Sequence, residues 1–379
     1  MAADISADRA TSLSVDVDND GVADPGDTVH VTLTIANIGT SAAINVLVND
    51  ALNGMTLVAG SIQITPIAAD DAFSMTGNTP ITLTAAQLLG NDLDPDGDPA
   101  ALTITAVSGA SHGTVVLNGD GSVTFTPDTG YTGAASFTYT VEDAQGLSSV
   151  VDADVALTVT APTWYVDSAY SGANGASDGS FLRPFTGLTE LNGGNGDGST
   201  NDDVDGAGDT IFVYDRGVTY GGGITLETGQ KLYGDGQAYT VNGMSIGAGT
   251  GNAVIGHTGA GIILAVGNTI AGIDLVGTAT GAVGIVDGGG TVGTLTIGNV
   301  GIGGQGQAID IDQGGTLAVS LNSVASTGST GNSGGVIQLS GVTGSFAVGG
   351  TVSITGSHAQ TGIDIANGTG TLTATFSGT

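Results

Sequence analysis

The chain has 379 residues, 68 of them glycine and none cysteine, and its 36 acidic residues against four basic ones give a net charge of −32. Binding a phosphate backbone or an anionic membrane surface needs clustered Lys and Arg. The basic set here is Arg9, Arg183, Arg216 and Lys231, so nucleic acid and anionic lipid are excluded as partners, and the absence of Cys excludes disulfides and thiolate metal sites. With 40% apolar residues the chain does not have the profile of a disordered acidic tail. Val, Ile and Thr punctuated by Gly predict an all-β protein of two or three domains. No basic and apolar leader follows Met1, so no signal peptide is expected in this sequence. The most apolar stretch, 259–286, carries Asp274 and a glycine every few residues, which argues against a membrane-inserted segment.

The first predicted module, residues 1–68, holds a concentrated acidic pattern. All acidic residues of the chain except Glu142, Glu190 and Glu227 are Asp, and 16–27 reads Asp-Val-Asp-Asn-Asp-Gly-Val-Ala-Asp-Pro-Gly-Asp. Asp16, Asp18, Asp20, Asp24 and Asp27 fall at positions 1, 3, 5, 9 and 12 of a calcium-loop spacing. Gly21 takes position 6, where the backbone turns sharply, and Val22 offers a carbonyl at position 7. Converging oxygens from one loop suit a hard cation, so Ca2+ is the expected ion. Asp27 is shorter than the Glu usual at position 12, which predicts weaker, extracellular-type affinity. After the loop, Thr28-Val-His-Val-Thr-Leu-Thr-Ile-Ala36 alternates with period two, and further strands are expected near 43–48 and 55–64. This segment resembles the conserved-repeat β-sandwich domains arrayed on large bacterial surface proteins.

The second module, 69–160, opens with Asp70-Asp71 and runs through Leu88-Leu-Gly-Asn-Asp-Leu-Asp-Pro-Asp-Gly-Asp98, Gly130-Tyr-Thr-Gly133 and Ser136-Phe-Thr-Tyr-Thr-Val-Glu-Asp-Ala-Gln-Gly146. These residues resemble a cadherin-like tandem repeat of bacterial adhesins. The resemblance implies a Greek-key sandwich with calcium near its ends and junctions. Carried over by position, Asp70, Asp71, Asp92, Asp94, Asp96, Asp98 and Asp143 are the implied ligands. Asp-Pro-Asp-Gly is also a plain turn sequence. Phe125, Tyr131, Phe137 and Tyr139 are expected in the core, and the lone His112 before a glycine turn is expected to be structural.

Ala161-Pro162 is expected to act as a hinge. The third module, 161–379, divides into an opening and capping region, 161–235, and repeating coils, 236–379. The opening segments Trp164-Tyr-Val-Asp167 and Gly208-Asp-Thr-Ile-Phe-Val-Tyr214 resemble those of right-handed parallel β-helices, as in pectate lyases, with a short capping helix expected within 186–191. Beyond it, apolar triplets recur around Ile285, Ile309, Ile337 and Ile363 at mid-twenties spacing with glycine at the corners, the signature of a solenoid. The last residues fall inside this repeat, so the stack is expected to continue beyond Thr379, covalently or by association.

Parallel β-helices commonly host polysaccharide lyases and hydrolases. A lyase uses a basic residue, and none follows Lys231. A hydrolase needs two carboxyl groups about 5–9 Å apart, and Asp287 and Asp312, each opening a Gly-Gly-Thr turn one coil apart, are the weak candidates. The recurrence of the turn accounts for them equally well. The sequence therefore predicts a non-enzymatic, calcium-stabilised segment of an exported bacterial surface protein. Its sandwiches would form a stalk, and its β-helix an adhesive or assembly surface for a glycan, a protein or another copy. The alternatives are a carbohydrate-active β-helix enzyme and a self-assembling filament, sheath or surface-layer subunit.

Overall fold

A computed structural model of the chain describes residues 5–23, 26–37, 63–97, 101–192, 204–247, 249, 251–332, 334–359, 362–366 and 370–377. The chain divides into two compact units, residues 1–62 and 63–379. In the first, Ile5–Val15 pairs antiparallel with Thr28–Asn37, and the register shifts between Leu13 and Val15 just before the acidic loop. The strands expected near 43–48 and through most of 55–64 lie outside the described residues.

The second unit begins with a β-sandwich. One sheet has the order Asp71–Thr76, Ala153–Thr160, Gly133–Glu142, Thr103–Ser111, and the other Ile81–Leu83, Val123–Pro127, Gly113–Leu117. Alternation is strict in Ala153–Thr160, where every second side chain is buried, so one face packs and the other meets water. Phe125, Phe137 and Tyr139 fill the core as the sequence predicts. Tyr131 sits at its margin, stacked on His112 at 4.1 Å between ring centroids. His112 has a φ of 56°, and the ring contact fits its expected structural role.

From Thr163 the chain winds as a parallel β-helix with three faces. Among the described residues, the strands other than the antiparallel hairpin Tyr239–Val241/Met244–Ile246 pair in parallel with the equivalent strand of a neighbouring coil, and the in-register positions form ladders of apolar side chains. One ladder runs Ile224, Ile262, Ile285, Ile309, Ile337, all buried, and continues in register to Ile363, which is exposed. A second runs Ile211, Leu232, Ile270, Ile297, Val319, Phe346, and a third Tyr220, Ile255, Leu275, Ile302, Val324, Val352. The repeating triplets in the sequence are thus successive rungs of one face. Stacking buries what no single coil could bury alone.

Side-chain amides serve the corners, where backbone groups lose strand partners. Asn252 Nδ2 donates to Asn299 O, Asn299 Nδ2 to Gly236 O, and Asn322 Nδ2 to Asn299 Oδ1. At another corner Gln230 and Asn268 take equivalent places one coil apart, each accepting from the backbone N–H three residues earlier. The expected capping helix is reduced to one 3-10 turn, Thr189–Leu191, whose Leu191 joins the core.

Candidate metal centre

In the first unit the loop after Ile5–Val15 folds around Asp16. Its Oδ1 accepts from the N–H of Asn19 (2.6 Å) and Asp20 (3.3 Å), and its Oδ2 from Gly21 (2.8 Å). These bonds, that from Gly21 foremost, hold the Asp16 carboxyl below its ordinary value. Asn19 and Gly21 adopt positive φ, 62° and 81°, as the turn requires. Asp27 Oδ1 accepts from Val17 N at 2.8 Å and closes the loop. Asp16, Asp18 and Asp27 each bring a carboxylate oxygen within 4.8 Å of the others. Asp20 does not belong to this group, and its Oδ1 accepts from Val22 N at 2.8 Å. Asp24 lies outside the described residues.

A second group forms at one end of the sandwich from two separate turns. Asp94, Asp96 and Asp143 place carboxylate oxygens within 4.8 Å of one another. Asp94 is 4% exposed and Asp143 5%. Each of the three uses one oxygen on its own surroundings: Asp94 Oδ1 accepts from Asp96 N (3.3 Å), Asp96 Oδ2 from Ile64 N (2.9 Å), and Asp143 Oδ1 from the N–H of Gln145 (2.9 Å) and Leu147 (2.8 Å). The other oxygen of each, Asp94 Oδ2, Asp96 Oδ1 and Asp143 Oδ2, is buried and has no hydrogen-bond partner. At such separations two carboxylates repel by roughly 3–4 kcal/mol for an effective dielectric constant near 20. Buried acceptors normally find donors, so three without one, drawn together, form a donor set for a hard cation. Gly97 is part of this design, because a Cβ there would lie 2.2 Å from Asp94 Oδ2.

The remaining implied ligands of the sandwich stand apart from that triad. Asp70 Oδ1 accepts from Asp154 N at 2.9 Å. Asp92 Oδ1 accepts from Ala69 N at 2.7 Å. Asp71 Oδ2 and Asp92 Oδ2 lie 3.0 and 3.1 Å from the buried Tyr139 hydroxyl, which also reaches Leu88 O at 2.8 Å. Burial raises both carboxyls above their ordinary value, and burial with the adjacent carboxylates raises the phenol. Sequence reasoning placed Tyr139 in the core by its alternation, and its hydroxyl turns out to join two acidic segments as well. Asp98 lies outside the described residues.

In the β-helix, Asp287 Oδ2 accepts from the N–H of Asp312 (2.7 Å) and Gln313 (3.0 Å), and its Oδ1 from Gly289 (3.3 Å). Asp312 Oδ1 takes the Gln313 amide at 2.6 Å. Asp287 thus organises the turn of the next coil. Asp310, in register with Gln338 and through it with Asp364, has its carboxyl raised by burial, then by Asp312 and Asp287.

Residues 62–160 match the cadherin-like domain family, and the match covers the sandwich that carries the buried triad. It points to an adhesive or structural extracellular role for that segment. No curated protein and no solved structure matches the chain. Among the described residues no helix is long and apolar enough to cross a membrane.

Proposed function

We propose that this chain is a calcium-stiffened, non-catalytic segment of an exported bacterial surface protein. In this reading the sandwiches are stalk units, and the β-helix is a surface for adhesion or for association between copies. The observation that carries it is the trio of buried, donorless oxygens on Asp94, Asp96 and Asp143, within a segment matching the cadherin-like domain. A divalent cation there would replace mutual repulsion with shared coordination and tie the 94–97 turn to the 143–147 turn. The exposed 16–27 loop would bind a second, weaker ion through Asp16, Asp18 and Asp27. The commitment of both Asp287 oxygens to backbone N–H groups supports the non-catalytic assignment, since a catalytic carboxylate needs an oxygen free for substrate.

The test is a calcium titration of the chelated protein followed by calorimetry, with magnesium as the control. Calcium should raise the melting temperature, and magnesium should do so less, because it demands tighter octahedral geometry. Identical melts with calcium and with chelator would end the calcium reading. Turnover of pectin, alginate or a neutral glycan that disappears in Asp287→Asn or Asp312→Asn would end the non-catalytic one.

A further inference from the structure

The two-residue link Ala161-Pro162 has the composition of a hinge, but the backbone on either side of it is bridged. Gly77 N–H donates to Thr160 O (3.1 Å), and Thr163 N–H donates to Gly77 O (3.2 Å). One sandwich residue therefore bonds the last strand of the sandwich and the first strand of the β-helix. A Cβ on Gly77 would sit 3.1 Å from both Thr160 O and Tyr131 O, so a larger residue there would press on both carbonyls. Next in sequence, Asn78 O accepts from Phe181 N at 2.9 Å, and the Thr79 hydroxyl meets the Tyr165 hydroxyl at 2.7 Å. Both Thr79 and Tyr165 are fully buried.

A second connection comes from much further along the chain. The hairpin of Tyr239–Val241 and Met244–Ile246 leaves the β-helix, and Asn242 occupies its tip with a φ of 48°. Its amide faces the backbone of Thr76, at the end of the edge strand Asp71–Thr76. Asn242 Oδ1 accepts from Thr76 N at 2.7 Å, and Nδ2 donates to Thr76 O at 3.0 Å and Thr79 O at 2.7 Å. The side chain reproduces the paired donor and acceptor of a neighbouring strand, at a point where an edge strand presents free backbone groups.

We propose that this hairpin is a latch. It locks the sandwich to the β-helix, so that the two move as one rigid body and the link at Ala161-Pro162 does not flex. Residues 77–79 also bond the first coil directly, at Thr163, Tyr165 and Phe181. The latch involves no metal, so failure of the calcium reading leaves it intact.

The full chain tests it. With no native cysteine, Val116→Cys on the sandwich and Thr296→Cys on the β-helix, both exposed strand positions, give a unique spin-label pair. Double electron–electron resonance should return one narrow distance distribution in chelator and in calcium alike. Adding Asn242→Ala should broaden it at least twofold. A broad distribution without that substitution, or an unchanged width with it, overturns the proposal. Should Asn242→Ala fail to fold, the Thr76 amide in the unsubstituted chain decides by hydrogen exchange. Protection matching that of Ala153–Thr160 supports the latch, and exchange at the rate of an open edge refutes it.

Discussion

Asp16 and Asp94 both open an aspartate-rich turn, yet their oxygens are used differently. Asp16 directs both oxygens at backbone N–H groups of its own loop, in a segment open to solvent. Asp94 bonds through one oxygen and leaves the other buried beside Asp96 and Asp143 with no donor. The first loop carries the stronger motif, and the second cluster the stronger physical demand. An Asx-type turn satisfies a carboxylate without a metal, whereas buried, converging charge is costly until a cation arrives. The motif states which atoms are available, and burial states which of them need an ion.

Asp143→Asn should separate the two clusters most sharply. Calcium at a hundred times its dissociation constant stabilises by about 2.7 kcal/mol, on the order of 10 °C for a domain of this size. The substitution should remove most of that shift. In chelator the variant should melt above the unsubstituted chain, because one of three repelling charges is gone. Calorimetry in both buffers reads this directly, and a variant that melts lower in chelator would mean the carboxylate is satisfied without metal.

Two glycines sharpen the contrast at the next level of effect. Gly97→Ala puts a methyl group against Asp94 Oδ2, so it should cost about 1–3 kcal/mol and weaken calcium binding by titration calorimetry. Gly21→Ala meets nothing within 4 Å and disturbs only a left-handed φ of 81°. It should cost about 1–2 kcal/mol and leave the affinity of the sandwich site unchanged. Equal losses of that affinity in both variants would contradict the geometry. Asp18→Asn should do less still, changing calcium protection of the 16–27 amides by roughly fivefold, about 1 kcal/mol, with no change in the sandwich transition.

Much of the fold was legible because it repeats. The Ile285, Ile309, Ile337, Ile363 series identified one face, and those residues are neighbours in register. Asp94, Asp96 and Asp143 were legible as candidate ligands through family position, and the structure brings their carboxylates together. Their separation from Asp70, Asp71 and Asp92 was not, because it depends on which oxygen faces Ala69 N, Asp154 N or the Tyr139 hydroxyl. Asn242 carried no signal at all. One asparagine among many in a glycine-rich chain, it acquires its role through contacts with residues about 160 positions away. The hinge expected at Ala161-Pro162 rested on local composition, whereas the hydrogen bonds that bridge this link come from Gly77, a residue distant in sequence.

The smallest effect, and the one that sets the two acidic regions most directly against each other, is their response to pH without calcium. Asp71 and Asp92 have folded values raised by burial above the ordinary 3.8, so the folded sandwich takes up protons before the unfolded chain does. Its stability should rise as pH falls from 7 through those raised values, and the gain should level off near 3.8, where the unfolded chain protonates too. Asp16 has the opposite sign. Its folded value is lowered by backbone hydrogen bonds, so its contribution is present above 3.8 and is lost as pH falls below it. His257 opposes the sandwich from within the β-helix. Burial lowers its value from 6.5, which costs stability once the pH drops below that point. Comparison with Asp92→Asn isolates the sandwich term. In chelator between pH 7 and 4.5, the unsubstituted chain should gain melting temperature relative to that variant, while exchange protection of the 16–27 loop stays level until the pH passes below 3.8. Parallel pH curves for the two proteins would show that Asp92 carries no excess burial cost, and the distinction between a self-satisfied loop and a strained acidic interior would then rest on Asp94, Asp96 and Asp143 alone.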